Sequence, residues 1–145
     1  MSDGAPGPAL SVVVPVYNEE GNVVPLHAEI TRVVSALGGP WEIIFVNDGS
    51  RDGTLARLEE IRRRDPHFRI VDLDGNFGEA AALSAGFAHA RGDLVVTLDG
   101  DGQNDPADIP RLLASLGPDV DVVRDRKSTR LNSSHVSESR MPSSA

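Results

Sequence analysis

Asp99 and Asp101 stand one residue apart, each followed by a glycine, in Leu94-Val-Val-Thr-Leu-Asp-Gly-Asp-Gly-Gln-Asn-Asp105. Two carboxylates at that spacing, where a short apolar run ends, can share a hard divalent cation, and the cation can hold a phosphate or diphosphate. The glycines let backbone and ligand approach closely. The competing reading is a turn with two solvated aspartates. An EF-hand is excluded, because loop position six is Asn104 and position twelve is Pro110. The chain has no cysteine, so thiolate metal sites and disulfides are excluded as well. His27, His67, His89 and His135 show no ligand spacing and read as surface or boundary residues.

Two further segments end in the same polar way: Pro15-Val-Tyr-Asn-Glu-Glu20 and Asn47-Asp-Gly-Ser-Arg-Asp-Gly53. The first lacks the Gly-x-Gly-x-x-Gly pattern of a dinucleotide fold. Tyr17 could stack on a base or ribose, or pack over a strand edge. Asp48 could accept a hydrogen bond from a base N–H, or cap the turn that follows it.

The elements that must carry these loops alternate. Apolar runs at residues 10–16, 41–47, 68–73 and 94–98 read as strands, and 119–123 begins a fifth. Between them, residues 22–37 have apolar positions at helical spacing, stopped by Gly38-Gly39-Pro40, with Pro25 tolerated in the first turn. Asp52 is the expected N-cap of a helix over 53–64, residues 78–90 form an Ala-rich helix able to pack closely, and Asp105-Pro106 opens a helix to about residue 116. Near-continuous Val/Ile/Leu strands alternating with helices predict an α/β fold with a mostly parallel sheet covered on both faces. Ligands of such sheets bind at the carboxyl ends of the strands, so the three polar loops should converge on one edge.

The chain has 145 residues and a formal net charge of −8. That balance argues against nucleic acid as a partner and suits a protein that meets anionic ligands through a metal. No apolar run approaches the ~20 residues of a membrane span, and the amino terminus lacks a basic segment before its short apolar run, which predicts a soluble chain. Residues 1–9 read as a flexible start and 10–124 as one domain. Residues 1–124 hold twenty acids and ten bases, whereas 125–145 hold two acids and four bases. Seven serines in 127–145 leave too little apolar surface to offset ordering entropy. Arg126-Lys-Ser-Thr-Arg-Leu-Asn-Ser-Ser-His135 resembles a peptide that recurs at the ends of unrelated sequences, so this tail is expected to be non-native and the chain to be the front piece of a longer protein.

In order and spacing the motifs resemble the family 2 glycosyltransferases of the GT-A fold, and within them the polyprenyl-phosphate mannose and glucose synthases. The residues that carry the resemblance are Val14-Pro-Val-Tyr-Asn-Glu-Glu20, Val46-Asn-Asp-Gly-Ser-Arg-Asp-Gly-Thr54, Asn76-Phe-Gly78 with Ala81–Leu83 and Ala85-Gly86, Gly92-Asp93, and Leu98-Asp-Gly-Asp-Gly-Gln-Asn-Asp-Pro106. The resemblance implies a Rossmann-like GT-A sheet, cut short after about the fifth strand. It implies that Pro15, Tyr17, Glu19, Val46 and Asp48 hold the nucleoside of a GDP- or UDP-hexose. It also implies that Asp99, Gly100 and Asp101 form the D-x-D motif, and that Asp99, Asp101 and Gln103 bind Mg2+ or Mn2+ on the diphosphate. The activity implied is inverting transfer of a hexose to a polyprenyl phosphate at the cytoplasmic face of a membrane, in cell-envelope or glycolipid synthesis, with this piece inactive alone. Gly75 and Glu79 depart from the Arg and Lys that relatives often place around Asn-Phe-Gly.

Two other readings compete. Asp-Gly-Asp-Gly after a strand also looks like the nucleophile motif of haloacid-dehalogenase-like phosphatases, although that motif wants Thr or Val at position 103 and sits on a first strand. A non-catalytic nucleotide-sugar-binding module would fit a chain that holds the donor half alone.

Overall fold

A computed structural model describes residues 8–98, 106–110 and 113. Four strands form one sheet: β1 (Leu10–Val16), β2 (Trp41–Asn47), β3 (Phe68–Asp72) and β4 (Leu94–Thr97). Their order is β3-β2-β1-β4, and every pairing is parallel. Between them run α1 (Val23–Ser35), α2 (Thr54–Arg64) and α3 (Glu79–His89). A 3-10 turn, Pro106–Asp108, packs against α1. The expected fifth strand and the 125–145 tail lie outside the described residues.

Strand alternation sorts the core into two layers. Val12, Val14, Val16, Ile43 and Phe45 face one side, under Val23, Ile30, Val34, Leu58 and Ile61 of α1 and α2. Val13, Ile44 and Val46 face the other side, under Ala82 and Leu83 of α3. Each of the Val, Leu, Ile and Phe side chains stabilises the fold by roughly 1.5–3 kcal/mol relative to exposure. The helix α3 lies so near the sheet that a Cβ on Gly86 would come 2.3 Å from Cγ1 of Val13.

A polar cluster crosses the amino-terminal end of the sheet. Glu42, only 2% exposed, accepts from the Ser11 hydroxyl at 2.6 Å, from Arg69 at 2.8 Å, and from the Arg91 amide and guanidinium at 2.7 and 3.1 Å. The Gly92 amide donates to the Ser11 hydroxyl in turn. Burial pushes the Glu42 carboxyl up, but the bonds from Ser11, Arg91 and Arg69 outweigh it and hold the group below its ordinary range.

The bounds of β1–β4 and α1–α3 agree with the sequence expectations to within one or two residues. The helix expected from Asp105-Pro106 to about residue 116 opens as the 3-10 turn and has its end outside the described residues, and one cap needs correction. The N-cap of α2 is Gly53, not Asp52. Asp52 still serves that helix end from one residue earlier: its carboxylate accepts from the Thr54 amide and hydroxyl at 2.9 and 2.5 Å.

Candidate functional site

The carboxyl ends of β1 and β2 lie side by side, since Val16 is in register with Asn47. The loop after β1 is bolted to the loop after β2. Asn18 takes φ 53°, a left-handed conformation asparagine tolerates better than most residues. There its side-chain oxygen accepts from the Arg51 amide at 2.8 Å, while its own amide donates to the Ser50 hydroxyl at 2.9 Å. The Glu19 amide donates to Oγ1 of Thr54 at 2.9 Å, and the Gly53 amide donates to the Glu20 carboxylate at 3.1 Å. Asp52, whose oxygens collect donors from Thr54 first and from the Glu20 amide, is held below the ordinary carboxylate range.

A second clasp joins the loop after β2 to the loop after β3. Asp48 is 4% exposed. Its Oδ1 accepts from the Phe77 amide at 2.7 Å, and its Oδ2 from the Gly78 amide at 3.0 Å and from Nδ2 of Asn76 at 3.3 Å. The same Nδ2 donates to the Asp48 carbonyl at 2.9 Å. Gly49 (φ 74°) lets the backbones touch: a Cβ there would sit 2.5 Å from the Asn76 nitrogen. Below the clasp, Asn47 donates to Asp72 at 2.9 Å. Asp48 therefore secures the chain entering α3, a partner about thirty residues away, and not the turn that directly follows it.

The structure thus brings Pro15, Tyr17, Glu19 and Asp48 to one edge. Tyr17 is 42% exposed and Phe77 61%, so two aromatic faces stand open there. The Glu19 carboxylate accepts from Asn22 at 2.6 Å, which fixes it at the start of α1. Val46 is different: it is completely buried in the layer under α3, so its side chain supports the edge from beneath. A depression of about 600 Å³ lined by Asn18, Glu19, Asn22, Asp52 and Arg57 lies beside these loops, and neither Tyr17 nor Asp48 lines it.

Leu98, the last residue before the aspartate pair, is buried and its amide donates to the Val13 carbonyl at 3.1 Å. Asp99, Gly100, Asp101 and Gln103 themselves lie outside the described residues. Among the described residues no group of three or more His, Asp or Glu is placed to hold a metal. As a donor set, two carboxylates and an amide oxygen suit a hard cation such as Mg2+ or Mn2+.

Sequence reasoning gave no role to Asn18, Ser50, Thr54 or Asn76, although all four lie in or beside the motifs. Asn18 carried one usable signal, since asparagine after a strand is a frequent left-handed residue. Asn76 stood in the Asn-Phe-Gly motif, but its role did not show, because its partner is 28 residues away.

The glycosyl transferase family 2 model matches residues 11–137 of this chain. Undecaprenyl-phosphate 4-deoxy-4-formamido-L-arabinose transferases of Salmonella paratyphi B and Salmonella enteritidis are each 40% identical to it over 134 residues. Those matches cover 92% of this chain and 41% of the relatives, so the chain spans well under half the length of the curated relatives it matches. A mannosyltransferase from Pyrobaculum calidifontis, solved with GDP-Man and Mn2+, is 30% identical with a TM-score of 0.53, over 67% of this chain and 30% of that one. Glucosyl-3-phosphoglycerate synthase from Mycobacterium tuberculosis, solved with UDP, is 31% identical with a TM-score of 0.56, over 79% of this chain and 40% of that one.

Proposed function

From the premise that this chain belongs to glycosyl transferase family 2, we propose that it is the donor-binding half of an enzyme that moves a glycosyl residue from a nucleotide-diphosphate sugar to a polyprenyl phosphate. The observation that carries the reading is the double clasp. It fixes the carboxyl ends of β1 and β2 against the entry to α3, immediately beside the strand that leads into Asp99-Gly-Asp101.

In this reading Pro15, Tyr17, Glu19 and Asp48 hold the nucleoside, with Val46 supporting them from below. Tyr17 offers a ring face, and Asp48 offers a carboxylate already oriented by three protein donors. Asp99, Gly100 and Asp101 meet the diphosphate, and Asp99, Asp101 and Gln103 hold the divalent cation. That cation, when bound, supplies Lewis-acid neutralisation of charge on the leaving nucleoside diphosphate. The acceptor phosphate oxygen is anionic at neutral pH, so attack on the anomeric carbon from the opposite face needs no strong general base. The transferred sugar was expected to be a hexose. The names of the Salmonella relatives give a formamido-arabinose instead, and the acceptor in those names is undecaprenyl phosphate. Work at the surface of a membrane follows from such an acceptor, although no helix among the described residues is long and apolar enough to cross one.

The family match favours this reading over the phosphatase, whose motif belongs on a first strand. Isothermal titration of the chain with UDP, GDP, UDP-glucose and GDP-mannose, with and without Mn2+, tests it. Metal-dependent binding of a nucleoside diphosphate is the expected result. A chain that binds none of the four, or that instead becomes covalently phosphorylated on Asp99 by a phosphate donor, would sink it.

A further inference from the structure

Thr54 opens α2 and is completely buried, so no part of it faces a ligand. Its hydroxyl has one proton to give and two lone pairs to offer. The proton goes to Oδ1 of Asp52, two residues earlier, at 2.5 Å. A lone pair is then left for the Glu19 amide, which donates to Oγ1 at 2.9 Å from 35 residues earlier in the chain. The first bond is one that many helix starts make, with an aspartate placed just before the first turn. The second does nothing for the helix. It reaches back to the loop that carries Tyr17 and Glu19.

Several bonds join the loop after β1 to the loop after β2, and burial separates them. The bonds of Asn18 with Ser50 and Arg51, of the Glu20 amide with Asp52, and of the Gly53 amide with Glu20 are all exposed, so water competes for each. The bond from Glu19 to Thr54 is partly buried and its acceptor wholly so, which leaves water little chance to replace that acceptor. We propose that Thr54 is a positioning residue for the donor site: its hydroxyl, aimed by Asp52, fixes the Glu19 backbone and with it the segment from Tyr17 to Glu19 against the end of β2. The role rests on the donor-site reading, in which that segment holds the nucleoside. Without the hydroxyl the segment spends part of its time displaced, and affinity falls with the fraction of molecules that keep the binding geometry.

The test is titration of UDP and of GDP, each with Mn2+, into the chain, Thr54→Val and Thr54→Ser, with thermal melts of all three. Valine keeps the volume and removes the hydroxyl, whereas serine keeps the hydroxyl and removes a buried methyl. Thr54→Val should bind whichever nucleotide the chain binds about tenfold more weakly, the factor that follows when one buried bond no longer holds the segment. Thr54→Ser should keep the affinity of the chain although it melts at a lower temperature. A merely structural threonine would let affinity follow melting temperature in both variants, and that result would overturn the positioning role. Full affinity in Thr54→Val would overturn it too, and would leave the donor-site reading standing. Amide hydrogen exchange decides the case in which Thr54→Val does not fold: the Glu19 amide should be protected in the chain and in Thr54→Ser, and its free exchange in the unsubstituted chain would overturn the proposal. Binding of neither nucleotide by the unsubstituted chain would overturn the donor-site reading and the role of Thr54 together.

Discussion

Asn18 makes its contribution through a conformation that few residues accept. At φ 53° an alanine would carry the left-handed penalty of about 1 kcal/mol and would also lose the bond from the Arg51 amide, worth about another 1 kcal/mol. Asn18→Ala should therefore destabilise the chain by about 2 kcal/mol, and Asn18→Gly, which keeps the conformation, by roughly half as much. Urea denaturation separates the two, and equal midpoints would remove the strain argument. Asp101 is a different kind of residue, expected to matter to ligand and not to fold. Asp101→Ala should abolish the Mn2+-dependent part of donor affinity with no change in melting temperature, and unchanged titration isotherms in Mn2+ would remove Asp101 from the metal set. Residue types at the site were legible because carboxylates, a tyrosine and glycines clustered where apolar runs ended. Their partners were not. The donors to Asp48 come from residues 76–78 and the acceptor for Glu19 is Thr54, pairings that chain order does not announce.

The elements themselves could be read closely, because strands buried on both faces are written as near-continuous runs of Val, Ile and Phe, and helix ends carry glycine and proline. Reading the cap of α2 one residue early has a physical reason: an aspartate can accept from the Thr54 amide either as the cap or from just before it, and the sequence looks the same. The close seat of α3 was anticipated from its alanines, but its tightest point is Gly86, where a Cβ would also come 3.2 Å from Val46. Gly86→Leu forces α3 off the sheet and should cost ~3 kcal/mol or more. Because α3 begins at the residues that hold Asp48, nucleotide affinity should fall with it, measured on protein that remains folded. Loss of stability with full affinity would show that the clasp tolerates a displaced helix.

For the molecule as a whole, the buried cluster around Glu42 ties β1, β2, β3 and the start of β4 at the end opposite the site. Nothing in the sequence marked it, since a serine and a glutamate inside apolar strands look like surface positions until the register puts them together. Its carboxyl titrates below its ordinary value of 4.5 in the folded chain. The unfolded chain therefore takes up the proton first, so the stability from this group is complete above that value and disappears as pH falls through the lower, folded one. The melting temperature should hold steady from neutrality down to about pH 5.5 and then drop, and Glu42→Gln should be less stable at neutral pH with a shallower drop in acid. A variant whose acid profile overlays that of the unsubstituted chain would assign the drop to other carboxylates.

The sheet order also sets a timetable. β1 precedes both of its sheet neighbours, β2 and β4, in the chain, and its later partner is sealed by a bond from Gly92 to Ser11, 81 residues apart. At roughly 5–20 residues per second, synthesis leaves Val12, Val13 and Val14 without one neighbouring strand for about 4–16 s. A nascent chain with three adjacent valines waiting that long is a substrate for any chaperone that recognises apolar strands, so the yield of folded protein in a cell should depend on how fast the segment up to β4 is translated.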